Sequence, residues 1–374
     1  MTKFSNSVFL ISGTAIGSGL ISLPIAAAKV GMFWITIIIA ITFFVAYKTS
    51  SMTIELMKEK GRPLTIVELS YEISGVRARF ISMLSLYILS VSLLSVYFAG
   101  VNSILNQFLG INSTILCIGL FSSFFILKSK AFGKINTLMV SILFGLIFYV
   151  IFSSMPKTFA NTFSNKFDFS ATMLFFPIIF TSFGVQNVCP FVAKQIGLEN
   201  LKSIKRAFLI GTLIPAIIYI FWIYVILGRV YESDINLYNQ IISEGVDVGV
   251  LIASLCDSAK FAFETLLLKL LTMFAILTSA AGIGIGLISS LSEVLAMKYR
   301  ILTPFLISII PAALAIFIPN AFMNILSFGG MIATVFVIFM PFYLTFKIQP
   351  VRGTYGEIIC FIFGLIVVFV ELFM

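Results

Sequence analysis

The 374-residue sequence contains no histidine and only four cysteines. Without an imidazole, a histidine-based zinc site and a serine–histidine catalytic arrangement both lose an essential group. Cys117, Cys189, Cys256 and Cys360 form no CxxC pair, so nothing points to a metal or redox centre. Charge is scarce as well: Asp, Glu, Lys and Arg make up 10% of the chain, against 60% hydrophobic residues. Soluble domains carry roughly 25% charged residues, which excludes that class. The apolar runs do not alternate with polar residues, which excludes a transmembrane β-barrel. No nucleophile–base pair or metal-ligand set falls at the middle of a run, as an intramembrane enzyme would need. No cofactor is implied.

What the sequence does have is apolar runs of about 20 residues, enough to cross a hydrocarbon core roughly 30 Å thick. The first run, from about Phe4, is too long and too glycine-rich for a cleavable signal. Eleven spans are expected, at about 4–28, 32–56, 80–107, 113–128, 134–154, 170–191, 206–228, 266–297, 301–318, 321–346 and 356–374. With the N-terminus in the cytoplasm, 18 of the 24 Lys and Arg fall on the inner side. Only Lys29, Lys157, Lys166, Arg229, Lys260 and Lys269 fall outside, as the positive-inside rule requires. The odd number of spans leaves the C-terminus outside. The net charge of +9 is thereby assigned to inner loops, and no nucleic-acid or obligate protein partner is implied. Two loops hold structure of their own. Residues 65–79 read as an amphipathic helix on the inner surface, and 247–260 as a short outer helix over an entrance.

Two spans carry breaks. The first contains Gly13, Thr14, Ala15, Ile16, Gly17, Ser18 and Gly19 near its middle. Each glycine costs a helix interior about 1 kcal/mol relative to alanine, so the sequence predicts unwinding there. Gly13xxxGly17 is also a helix-packing pattern. The sixth span reads Phe176-Pro177, then Thr181, Ser182, Phe183, Gly184, Val185, Gln186, Asn187, Val188, Cys189 and Pro190. A buried amide pair after a glycine, between two prolines, predicts a second break. Interrupted spans at corresponding positions of two halves point to a transporter's binding site. Free N–H groups at a half-helix start suit a carboxylate, and free carbonyls at a half-helix end suit an ammonium or a metal cation. A zwitterionic amino acid fits such a site without a permanent protein charge.

The segment from Ser12 to Ala28 closely resembles the first helix of the bacterial hydroxy and aromatic amino-acid permease family, within the amino acid–polyamine–organocation superfamily. Phe180-Thr181-Ser182-Phe183-Gly184 is similar to its sixth helix. Ala275-Ile276-Leu277-Thr278-Ser279 with Gly282, Gly284 and Gly286 is similar to its eighth. The resemblance implies an all-α polytopic membrane protein with the LeuT-like 5+5 inverted-repeat fold, discontinuous in helices 1 and 6. It forms one transporter domain, with repeats at about 4–154 and 170–346 and an extra helix at about 356–374. It implies import of an aromatic amino acid across the bacterial inner membrane by cation symport. An ion-independent exchanger, or a permease for another neutral amino acid such as serine or threonine, is the alternative. After the helix-6 glycine the family commonly has Phe-His-Gly where this chain has Val185, Gln186 and Asn187.

Expected substrate residues are therefore Thr14, Ala15, Ile16, Gly17, Ser18, Gly19, Thr181, Ser182, Phe183, Gly184, Gln186 and Asn187, with Tyr97 of the third span closing over them. Gly13, Ile16, Thr278 and Ser279 are the expected oxygen ligands of a coupling cation, H+ or Na+. The hydroxyls of Thr278 and Ser279 have an ordinary alternative, bonding the preceding helical carbonyls.

Overall fold

The computed structural model describes residues 2–109, 129–156, 168–246, 248–259, 262–294, 303–317, 322–349 and 354–374. Among these, seven helical segments are long and apolar enough to cross a membrane. The expected fourth span lies outside the described residues. The other ten each fall on helix: α1 (Lys3–Ala27), α2 (Met32–Glu59), α4 (Val76–Leu109), α5 (Ser129–Ser153), the pair α6 (Phe169–Ser182) and α7 (Cys189–Ile196), α8 (Leu201–Ser233), α11 (Ala262–Val294), α12 (Thr303–Phe317), the run α13 (Phe322–Thr334) to α14 (Met340–Ile348), and α15 (Tyr355–Phe373). A π-helical turn, Val335–Phe339, joins α13 to α14.

Three short helices complete the described chain. α3 (Ile66–Ser74) begins at a capping box, in which Thr65 accepts from the Glu68 amide and Glu68 accepts from the Thr65 amide. Gly75, at φ +82°, then turns the chain sharply into α4. α10 (Val248–Asp257) is a short helix where the sequence led one to be expected. α9 (Ile235–Ser243) was not expected, although Asp234 caps it by accepting from the Asn236 and Leu237 amides.

The bundle's surface suits hydrocarbon. On α15, Ile358, Ile362, Leu365 and Phe369 are exposed, while Cys360, Phe363, Val367 and Val370 on the opposite face are buried. Charged groups pair near helix ends. Lys48 of α2 meets Glu357 of α15 at 3.6 Å, and Lys205 of α8 pairs with Glu55 of α2. At another junction Arg229 of α8 donates to Glu264 at 2.8 Å, Ser154 at 2.7 Å, Ser258 at 2.9 Å and the Leu255 carbonyl at 3.1 Å. One guanidinium thus ties the ends of α5, α8 and α10 to the start of α11.

α1 and α8 are joined by a reciprocal device. Pro24 has no N–H, so the Leu20 carbonyl one turn earlier loses its helical donor. The Trp222 indole N–H of α8 donates to it at 2.6 Å. Pro215 strips the Gly211 carbonyl of α8 in the same way, and Ser12 of α1 donates to that oxygen at 2.9 Å. Each helix supplies the donor that the other's proline removed.

The break expected in the first span is not found: α1 runs unbroken from Lys3 to Ala27. Its glycines serve close packing instead. A Cβ on Gly13 would collide with Val140, on Gly17 with Ser279 and the Ala275 carbonyl, and on Gly19 with the Tyr219 ring. Contacts made possible by the missing side chains offset the glycines' conformational cost.

Candidate functional site

The break expected in the sixth span is present. α6 opens at Asp168, which accepts from the Ala171 amide, and ends at Ser182. The chain then tightens: the amides of Phe183 and Gly184 donate to Phe180 and Thr181 carbonyls at 3.1 and 3.2 Å, and that of Val185 to Phe183 at 2.7 Å. A 3-10 turn, Gln186–Val188, leads into α7, with Pro190 in its first turn. This geometry leaves the Ser182 carbonyl at the end of a helix, without the i+4 amide of a continuing ladder.

α1, though continuous, offers backbone acceptors beside this break. A residue four places on normally screens a helical carbonyl with its side chain, and glycine there uncovers it. Gly17 thus uncovers the Gly13 carbonyl. Ser279 of α11 donates toward the carbonyls of Gly13 at 3.2 Å and Thr14 at 3.1 Å, and its Oγ accepts from the Gly17 amide at 2.9 Å. One hydroxyl therefore touches both members of a pair that a helical turn bonds directly. Gly19 uncovers the Ala15 carbonyl, to which Tyr219 of α8 donates at 2.6 Å. The same phenolic oxygen lies 3.2 Å from the Ser182 carbonyl. Gly330 of α13 uncovers the Leu326 carbonyl, and Thr181 Oγ1 lies 3.2 Å from it.

Most expected residues gather here. Ala15, Ile16, Thr14, Thr181, Ser182, Phe183 and Gln186 are buried. Thr14 donates to the Leu10 carbonyl at 2.8 Å and packs against Gly282. Thr278 donates toward the Phe274 and Ala275 carbonyls at 2.8 and 3.1 Å, along its own helix. Tyr97 is buried on α4, within electrostatic reach of Tyr219. The side chain of Ser18 lies outside the described residues. A cavity of about 10 Å³ at the break is lined by Thr181, Gly184, Gln186 and Asn187 with Leu89, Leu93, Ala333 and Val337. That is room for at most about one water. The Gln186 amide N–H donates to Thr49 at 3.0 Å, while its Oε1 accepts from none of the described residues.

The profile of the tryptophan/tyrosine permease family matches residues 1–372. The chain belongs to that family. It is a multi-pass membrane permease, not an enzyme. The chain is 23% identical to the tyrosine-specific transport system 1 of Haemophilus influenzae, with 93% of this chain and 88% of that protein covered. It is 24% identical to the low affinity tryptophan permease of Escherichia coli, with coverage of 91% and 86%. It is 22% identical to glutamine transporter 2 of Aliivibrio fischeri, with coverage of 91% and 87%. A sodium-coupled sialic acid symporter, solved substrate-bound and outward-open, superposes with a TM-score of 0.67 over 99% of this chain and 88% of the symporter, at 15% identity. The permease therefore has the LeuT-type helical fold.

Sequence reasoning missed the contribution of α8. Tyr219 and Trp222 donate to α1, and Pro215 frees the carbonyl that takes a donor from it, yet all three sit in a span read only as apolar. The available signal was proline: every proline inside a span strips a carbonyl four residues back, and a polar aromatic elsewhere is a natural donor for it.

Proposed function

We propose that this permease imports an aromatic amino acid, tyrosine or tryptophan, by cation symport with alternating access. The N-terminus lies in the cytoplasm and the C-terminus outside, and residues 4–154 and 170–346 act as inverted repeats. The reading rests on one observation above all: the helix break at Phe183–Val185 stands beside α1 carbonyls uncovered by glycine. Carbonyls at the end of α6 suit the substrate ammonium, and amides opening the 3-10 turn and α7 suit its carboxylate. Gly13, Ile16, Thr278 and Ser279 supply oxygens to the coupling cation, the Ser279 proton turning away from α1 when the cation arrives.

Gln186 gives the site its side-chain preference. Its bare Oε1 accepts from a substrate N–H or O–H, which the side chains of tyrosine, tryptophan and glutamine have and that of phenylalanine lacks. Leaving that oxygen unsatisfied costs about 1–3 kcal/mol, or roughly 5- to 150-fold in affinity.

The test is uptake of labelled L-tyrosine and L-tryptophan into proteoliposomes, with unlabelled amino acids as competitors and sodium and proton gradients imposed separately. We expect accumulation against a gradient under one of the two ions, and weak competition by phenylalanine. Equilibration without accumulation under both ions would refute symport, and no uptake of any amino acid would refute the transport assignment.

A further inference from the structure

One side chain, Tyr219 of α8, lies between α1 and the break after α6. Tyr219 is fully buried. Its ring lies against Gly19, where a Cβ would collide with it, and edge-on to Phe183 at 5.5 Å and 82°. Its hydroxyl reaches two backbone acceptors on different elements: Ala15 of α1 at 2.6 Å and Ser182 at the end of α6 at 3.2 Å. A phenol has one hydrogen to donate, so two carbonyls share a single donor. A primary ammonium has three and satisfies both. These are also acceptors that ordinary helix geometry would hide: the Ala15 carbonyl is uncovered by Gly19, and the Ser182 carbonyl by the break.

We infer that Tyr219 is an internal competitor of the substrate: its hydroxyl holds the Ala15 and Ser182 carbonyls until substrate binds, and the substrate's ammonium then takes them over. The inference rests on the amino-acid reading above and adds to it. While the phenol bridges α1 and α6, the chain's own donor faces both carbonyls. Binding exchanges one donor for another, and the ring must move off Gly19 for the exchange to happen. A purely structural pin between α1, α6 and α8 would make different demands, and the two roles are separable by measurement.

The experiment uses the full chain in lipid nanodiscs and equilibrium binding of labelled L-tryptophan and L-tyrosine. Tyr219→Phe removes the competing donor and keeps the ring. Affinity for both amino acids should rise roughly tenfold, about the worth of one displaced hydrogen bond. Competition by the deaminated analogue 3-indolepropionate should not change, because it brings no ammonium. Para-aminophenylalanine at 219 restores a donor and should return the wild-type affinity. Unchanged or weaker binding in Tyr219→Phe overturns the inference while leaving the transport reading intact; wild-type protein that binds no amino acid overturns both. If Tyr219→Phe does not fold, 3-fluorotyrosine placed at 219 alone reports on the otherwise unaltered chain. Its fluorine resonance should shift with saturating L-tryptophan and stay put with 3-indolepropionate; a resonance that L-tryptophan leaves unmoved overturns the inference.

Discussion

At the residue scale, glycine position decides which backbone oxygens α1 offers. Gly17 and Gly19 each uncover the carbonyl four residues back, and a donor from a distant helix has settled on each. A methyl group at Gly17 would collide with Ser279 and the Ala275 carbonyl. Gly17→Ala should therefore lower stability by about 1–3 kcal/mol through overpacking, read as a fall in the melting temperature of the purified protein. Gly145, which has open space around its missing Cβ, is the control: Gly145→Ala should leave the melting temperature unchanged or raise it. The glycines were legible in the sequence as exceptional, but their role was not. Unwinding and close approach leave the same composition, and the residue that decides between them, Ser279, lies more than 260 positions away.

At the element scale, the sixth span was legible because several signals agreed: Pro177, Gly184, the amides of Gln186 and Asn187, and Pro190 all oppose a continuous helix. In α1 only the glycines opposed one, and packing outweighed them. The coupling of α1 to α8 was not legible, since it depends on which carbonyl faces which donor. It makes a sharp prediction. Trp222→Phe leaves the Leu20 carbonyl bare in an apolar interior, at a cost of about 1–3 kcal/mol. Pro24→Ala returns an amide that can bond that carbonyl within the helix, so Trp222→Phe should cost markedly less in the Pro24→Ala background. Chemical denaturation of the two single variants and the double variant in detergent measures the coupling. Strictly additive losses would show that the indole and the proline are unrelated.

At the scale of the whole molecule, the distribution of lysine and arginine predicts an orientation that labelling can test. Lys202 at the start of α8 and Glu244 after α9 are both exposed. In a cysteine-free background, Glu244→Cys should react in intact cells with an impermeant maleimide, and Lys202→Cys only after the membrane is opened; the reverse pattern would invert the topology. The native Cys256 is a poor reporter, because burial pushes its thiol above the usual range, an effect Lys269 and Arg229 only partly offset. The amphipathic character of the loops was enough to find α3 and α10. It did not show that Arg229 would fasten α10 down, since that knot draws Ser154, Leu255 with Ser258, and Glu264 from three places in the chain.

The proline-stripped carbonyl of α1 also has a consequence for how the protein is made. Leu20 and its donor Trp222 are separated by 202 positions, so ribosomes deliver the acceptor to the membrane long before the donor exists. Throughout that interval the nascent first helix carries an exposed carbonyl that hydrocarbon does not tolerate. Water or an earlier-made helix must stand in for the indole until then. The contact that completes α1 is therefore one the chain can make only after α8 has been synthesised.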